Sequence, residues 1–480
     1  MPPSSAVLEE RDASDPRTVR LRAWMRHIGA PALSVRLLRG GAPLFQRDVG
    51  QTDARLGSPL APHHRFRLGC LVKPMVAQAV LQLERRGLVE LRASIADYVP
   101  ALDASAFRAI TVEHLLTQAS GLARGFFQPG PVDAERTLER IVASRLHFLP
   151  GTRRKYSHWG YFLLGLVIEA ATGQGPEAFI AEQILHPLGL TRCGFDGDRD
   201  AEMDLVRGYW SGWRFGAPDP DAPACASELV RIPNCAGGLI GSSSDVARWL
   251  DALLAEGRAA AGEAYRPVVT RRVLELRARR NQVFTLGGFC ADVLERGACL
   301  HFGAFSSGYS CFAFLCPKLD LVGVAVCSHQ SGADSLRLLM SELCREFVTE
   351  VSLPPTRVSG GAARLGLSDL AESKEAPRRT KRSRVAARPL AADLAALPGV
   401  YRCLSMGLCE VVALGDHLFM DFGASEPVEL RPRRGRLRFT LIGGPFRLEV
   451  VEFFRDPQVP DVIRGLTLND MAFERCTRPP

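Results

Sequence analysis

The chain has 480 residues, 46% of them hydrophobic and 23% charged. That length suits two to three domains, and that composition is ordinary for a soluble globular protein rather than a disordered or fibrous one. Much of the net charge of +8 comes from a single short basic run, and no apolar run approaches the roughly 20 residues needed to span a bilayer. Neither a nucleic-acid-binding protein nor a membrane-spanning one is therefore expected. The thirteen cysteines follow no metal-ligand spacing and no repeated frame, and their odd number leaves at least one unpaired. They read as reduced thiols, mostly small core residues, in a cytoplasmic protein with no metal and no cofactor.

Taken in order, residues 1–19 read as a flexible leader without an apolar signal core. Arg20 to Ile28 is helical in pattern. Ala32 to Leu38 and Pro43 to Val49 flank the turn residues Gly40 and Gly41 and predict a β-hairpin. After Gly69 comes Cys70, with Lys73 three residues on and Pro74 opening an apolar helical pattern (Met75, Val76, Val80, Leu81, Leu83) that ends near Arg86 and Gly87. Proline is tolerated in the first turn of a helix, where its missing N–H costs nothing. Cys70 is thus expected at a helix N-terminus with Lys73 on the same face, and both the helix dipole and an ammonium favour a thiolate.

Further along, Phe162 to Thr172 predicts a helix ended by Gly173, and Ser242 to Ser244 with Asp245 supply the oxygens that start another. Short strands are expected at Ala298 to Leu300, Phe312 to Leu315 and Val322 to Cys327, followed by a helix from Ala333 to Val351. Residues 354–391 change character. Two prolines, paired glycines and the run holding Lys374, Arg378, Arg379, Lys381, Arg382 and Arg384 read as a basic flexible linker. No aromatic residues interleave the run, so a solvated tether is favoured over a nucleic-acid contact. Residues 392–480 alternate strands with turns at Leu414 to Asp416, Arg431 to Gly435 and Ile442 to Gly444, the pattern of a small antiparallel β-barrel or sandwich.

Three ordered phrases resemble the serine β-lactamase and penicillin-binding-protein superfamily, in particular its class C and esterase-like branch. They are Phe66-Arg-Leu-Gly-Cys-Leu-Val-Lys-Pro74, Tyr156-Ser-His158, and His301-Phe-Gly-Ala304. Framework phrases at Ile110 to Leu122, Ile184 to Leu190 and Cys235 to Trp249 resemble it too. The resemblance implies an antiparallel sheet flanked by helices with a helical subdomain over residues 20–353, and a small β-domain after the linker. Three positions depart from the family pattern: Cys70 stands where the family has serine, His158 where it has asparagine, and Phe302 where it has a hydroxyl.

By that resemblance Cys70 is the nucleophile, and Lys73 and Tyr156 manage protons. The backbone N–H groups of Cys70 and Ala304 form an oxyanion hole, while His301, Phe302, Gly303 and Ser120 line the substrate side. His158 would orient Tyr156 or Lys73, or titrate near neutral pH as asparagine cannot. A cysteine yields a thioester, which passes its acyl group readily to amines, thiols or carbanions. The expected function is acyl transfer from a small-molecule donor, free or bound to a carrier protein or CoA, in metabolite tailoring. A hydrolase of the same fold and a catalytically silent binding protein remain as alternatives.

Overall fold

The computed structural model describes residues 15–55, 57–103, 105–125, 133–209, 233–259, 282–284, 289–294, 297–306, 308–329, 333–347, 391–403, 407–414, 417–421, 428–432, 437–442, 450–459, 462–468 and 471–476. The chain divides into two compact units, 1–340 and 341–480. The division falls inside the helix Ala333–Phe347. Residues 351–390, nearly the whole of the expected linker, lie outside the described residues.

The first unit is built on a seven-stranded sheet and a helical layer. Helix α1 (Pro16–Ile28) begins four residues ahead of the Arg20 expected from sequence. Asp15 caps it by accepting the Arg17 N–H at 3.0 Å, and Pro16 takes the first helical position, where proline is pre-organised. Strands β1 (Ala32–Arg39) and β2 (Ala42–Gly50) form the expected hairpin. Strand β3 (Phe66–Gly69) leads into helix α2 (Val72–Arg85), whose residues from Val72 to Leu83 are buried except Gln82. Helix α3 (Val112–Leu116) packs on helix α4 (His158–Thr172), and α4 with the short helix α5 (Asn234–Gly237) packs against α2. Strands β4 (Gly194–Phe195) and β5 (Leu239–Gly241) join β3 in a small three-stranded sheet.

Helix α6 (Ser243–Ala259) lies against the large sheet, which contains β6 (Gln282–Phe284), β7 (Cys290–Leu294), β8 (Gly297–Ser306), β9 (Tyr309–Cys316) and β10 (Leu321–Cys327). The sheet order is β2-β1-β10-β9-β8-β7-β6, so the chain's first hairpin pairs with its late strands. Strand β8 runs through the whole His301–Ala304 phrase, which sequence had set after the strand Ala298 to Leu300. Strand alternation then sorts its side chains. Phe302, Ala313 and Val324 are register partners and share the core with α2, whereas His301 pairs opposite Phe314 on the other face. Strand β7 pairs with β8 only from Gly297 to His301. Among the described pairings, Phe302 to Ser306 keep that edge open.

Where β1 meets α6 the interior holds a charged network. Arg36, 1% exposed, donates to both carboxylate oxygens of Asp48 at 2.9 and 2.7 Å and to the Ser244 hydroxyl at 2.9 Å. Ser34 donates to Asp48 as well, at 2.5 Å. A guanidinium this deep is tolerated because its fork is matched by a carboxylate with its own donors.

The second unit holds an eight-stranded closed barrel, β11 (Gly399–Cys403), β12 (Gly407–Leu414), β13 (His417–Asp421), β14 (Val428–Pro432), β15 (Arg438–Ile442), β16 (Val450–Arg455), β17 (Ile463–Leu468) and β18 (Met471–Arg475). Each strand pairs with the next in sequence, and β11 closes on β18 through Tyr401↔Arg475. Closure removes the exposed edges that a small open sheet would carry. Phe453 stacks edge-on against Tyr401 at 5.8 Å and Phe439 at 5.7 Å. The barrel-or-sandwich expectation resolves to a barrel.

Candidate active site

Gly69 has φ 56°, a left-handed conformation that glycine adopts without the Cβ penalty. It turns the chain sharply from β3 into α2. The Leu71 N–H bonds back to Leu68 O at 3.3 Å and the Lys73 N–H to Cys70 O at 3.1 Å, which holds Cys70 just ahead of the helix. Cys70 is half-buried. It lies near enough to the Lys73 amine and the Tyr156 phenol to act electrostatically on both.

Lys73 is 1% exposed. Its Nζ donates to the Ala236 carbonyl of α5, lies 3.4 Å from His158 Nδ1, and sits 4.9 Å from the centre of the Tyr156 ring and 5.5 Å from that of Tyr161. Burial pushes its pKa down, partly opposed by the neighbouring Cys70. Its two hydrogen-bond partners, Ala236 O and an unprotonated His158 Nδ1, can accept from an ammonium or from the N–H groups of a free amine. Tyr156 is pushed the other way, well above the usual phenol value, by burial and by Cys70. It remains a proton-bearing donor.

The segment carrying Tyr156 is clamped to the loop after α3. Ser157 caps α4 by accepting the Gly160 N–H at 3.1 Å, donates its hydroxyl to Ala123 O at 2.7 Å, and gives its own N–H to Gln118 Oε1 at 2.7 Å. The His158 N–H bonds to Arg124 O at 2.7 Å. Gln118 has φ 61°, an uncommon conformation for a residue with a Cβ, held here by its bonds to this segment. The Arg124 guanidinium lies 5.3 Å from the centre of the Tyr156 ring and is 8% exposed.

His158 is the first residue of α4 rather than a loop residue ahead of it, and its ring meets Tyr156 edge-on at 5.1 Å. Burial, then the Lys73 and Arg124 charges, push its pKa well below the ordinary histidine value. The expected titration near neutral pH is therefore corrected: the ring is neutral. A neutral Nδ1 that accepts from Lys73 does what an asparagine carbonyl oxygen could do from the same turn. That is a physical reason for the replacement to be tolerated.

A family model described as Beta-lactamase matches residues 21–341. The chain belongs to the Beta-lactamase family. Among its curated relatives it is 32% identical to esterase EstB of Burkholderia gladioli over 270 residues, 48% of this chain and 66% of EstB. The chain thus matches just under two thirds of that relative's length. Among solved structures it resembles SurE, with a TM-score of 0.57 at 22% identity, covering 98% of this chain and 100% of SurE. It also resembles EstCE1, a hydrolase with promiscuous acyltransferase activity, with a TM-score of 0.57 at 18% identity, covering 71% of this chain and 99% of that one. At these identities the structural matches establish the fold.

Within this Beta-lactamase fold the remaining expected residues fall as follows. Gly303 is exposed on the open edge of β8, and Ala304 follows it in register with Cys311. Phe302 is 7% exposed and packs edge-on against Phe289 at 6.2 Å, so an aromatic fills the space beneath that edge. His301 is 7% exposed with its ring 5.9 Å from Phe312. Ser120 is 1% exposed and its hydroxyl accepts the Leu122 N–H at 3.4 Å, shaping the loop that leads to Arg124. Sequence reasoning missed Arg124, the Ala236 carbonyl and Gln118. Arg124 carried one legible signal, as the only charged residue between His114 and Gly130. Among the described residues no group of three or more His, Cys, Asp or Glu is arranged to hold a metal. No helix among them is long and apolar enough to cross a membrane.

Proposed function

We propose that the protein is a cysteine-dependent acyl-transfer enzyme that works through a thioester on Cys70. The observation carrying this reading is the thiol itself, half-exposed at the head of α2 beside the buried Lys73 amine, which lies over the Tyr156 ring. Lys73, as the free amine, takes the Cys70 proton, and the sulfur adds to the acyl carbonyl of a small-molecule donor, free or bound to CoA or a carrier protein. The backbone N–H groups of Cys70 and Ala304 hold the developing oxyanion. Collapse of the tetrahedral adduct breaks the bond to the leaving group, which departs with a proton from Tyr156 or from the Lys73 ammonium. An amine, thiol, carbon nucleophile or water then attacks the thioester, and the same groups move the proton in reverse. Gly303 lets the donor approach the β8 edge above the packed Phe302, with Ser120 shaping the loop that leads to Arg124.

The acyltransferase activity of EstCE1 supports transfer as a capacity of this fold. The esterase name of EstB favours a second reading, in which water is the acceptor. A cytoplasmic setting and a role in metabolite tailoring belong to the first reading. Intact-protein mass spectrometry after incubation with acyl thioesters, activated esters and β-lactams tests it. An adduct of acyl mass on Cys70, discharged faster by added amine or thiol than by water, is the expected result. Discharge indifferent to added acceptors selects the hydrolase, and turnover that survives Cys70→Ala sinks both.

A further inference from the structure

The two residues that flank Tyr156 are held by the same partner. Gln118, on the loop after α3, accepts the Lys155 N–H on its backbone carbonyl at 2.9 Å and the Ser157 N–H on its side-chain Oε1 at 2.7 Å. Residue 156 is bracketed, with one grip a position before it and the other a position after. The next bonds carry the same loop along the segment: the Ser157 hydroxyl donates to Ala123 O at 2.7 Å and the His158 N–H to Arg124 O at 2.7 Å. Bonds to both neighbours fix the backbone of Tyr156, and its ring is thereby set with its centre 4.9 Å from Lys73 Nζ.

The conformation of Gln118 shows that this bracket is built against a penalty. Its φ of 61° lies in the left-handed region, where a Cβ is unfavourable and glycine is the ordinary occupant. Glycine would present the same backbone carbonyl but has no side chain to reach Ser157. Gln118 is also 2% exposed, so without its side-chain oxygen the Ser157 N–H beside it would be left buried and unpaired, which is costly. The second grip accounts for a long amide side chain at a backbone position that favours none. Strain of this kind persists where the surrounding structure makes use of it.

We infer that Gln118 is a positioning residue that sets the place of the Tyr156 phenol beside Cys70 and Lys73. It touches no reacting bond and acts through Tyr156. As the tetrahedral adduct collapses, the bond from carbon to the leaving oxygen or sulfur breaks, and the phenol proton passes to that atom. A proton donor displaced by a fraction of an ångström serves this step poorly. The leaving-group proton is thereby assigned to Tyr156 rather than to Lys73.

Gln118→Met keeps the bulk of the side chain and removes its acceptor. Single-turnover acylation of Cys70 in the full chain is followed by intact mass with ethyl butyrate and p-nitrophenyl butyrate, with folding checked by circular dichroism. Nitrophenolate leaves without a proton, whereas ethoxide must take one. The substitution is expected to slow ethyl butyrate by about tenfold or more and p-nitrophenyl butyrate by less than about threefold. In a Tyr156→Phe background it should slow ethyl butyrate no further, because the two residues act as a unit. A merely structural role slows both esters alike and adds to Tyr156→Phe, and either result overturns the inference. Should the Met variant not fold, Gln118→Gly, which suits the left-handed backbone and also lacks the acceptor, is read in the same way. The inference rests on the reading of Cys70 as the nucleophile, so a second arm needs no substrate. With fluorotyrosine at all seven tyrosines, the Tyr156 fluorine NMR signal is identified by its loss in Tyr156→Phe. That signal is expected to move in Gln118→Met, and an unmoved signal overturns the inference. A moved signal in a protein that takes no acyl group on Cys70 from any donor keeps the inference and sinks the acyl-transfer reading.

Discussion

Two buried cations of the first unit, Arg36 and Lys73, are equally hidden from water and have opposite surroundings. Arg36 meets a carboxylate through two bonds and a serine through a third, so its charge is matched within the fold. Lys73 meets a carbonyl, a neutral imidazole and a thiol, and among the described residues no carboxylate pairs with it. The paired charge is framework: fixed in one protonation state, it ties β1 and β2 to α6. The unmatched one is held where losing its proton relieves the cost of burial, which is what a general base at a thiol requires.

The largest break in this comparison is Cys70→Ala, which is expected to abolish both adduct formation and turnover while leaving the fold intact, as read by intact mass and thermal unfolding. Cys70→Ser should keep some acylation, because Lys73 and Tyr156 still surround the hydroxyl, and should pile up as a slowly discharged ester. Wild-type turnover in the alanine variant would remove Lys73's chemical role along with that of the cysteine. Next comes Lys73→Met, which fills the same space without the amine. Acylation should slow by about a hundredfold or more, the usual contribution of a general base. The fold should persist, since burying a thioether costs less than burying an amine. A loss below tenfold in single-turnover acylation would return Lys73 to the class of Arg36.

Asp48→Ala attacks the other side of the comparison. It strands a buried guanidinium and should lower stability by about 3 kcal/mol. The alkylation rate of Cys70 in the protein that remains folded should not change. If chemical denaturation finds stability unaltered, the Arg36 pair is not the framework described above.

The smallest effect is assigned to His158→Asn. Because His158 is held neutral in the fold, the pH dependence of acylation near neutrality should match wild type, with rates within a few-fold. Stability is another matter, and its sign follows from the proton count. Below about pH 6.5 an unfolded histidine binds a proton that folded His158 does not, so stability falls as pH drops through that range. His64, His114 and His329 have lowered pKa values too, the last to about 4, and contribute in the same direction. Removing His158 should flatten the acid side of the stability curve by up to about 1.4 kcal/mol per pH unit without abolishing the slope. An identical slope in the variant would mean that His158 is protonated in the folded chain.

Sequence alone determined what depends on neighbours along the chain. Gly69, Cys70, Lys73 and Pro74 set a turn, a thiol, an amine one helical turn on and a helix start, because spacing within a single turn fixes which side chains share a face. Alternation and turn residues likewise announced the first hairpin and a strand-rich second unit. The start of α1 was read less well, since Asp15 caps it through a side chain that composition does not distinguish from any other surface aspartate. Tertiary structure decided what depends on low-dielectric surroundings assembled from distant segments. The neutrality of His158, the loosened proton of Lys73, the carbonyl of Ala236 and the charge of Arg124 all come from burial among α2, α3, α4 and α5. Electrostatic energies inside a protein scale with solvent exclusion and through-space distance, and neither quantity is written in the order of the residues.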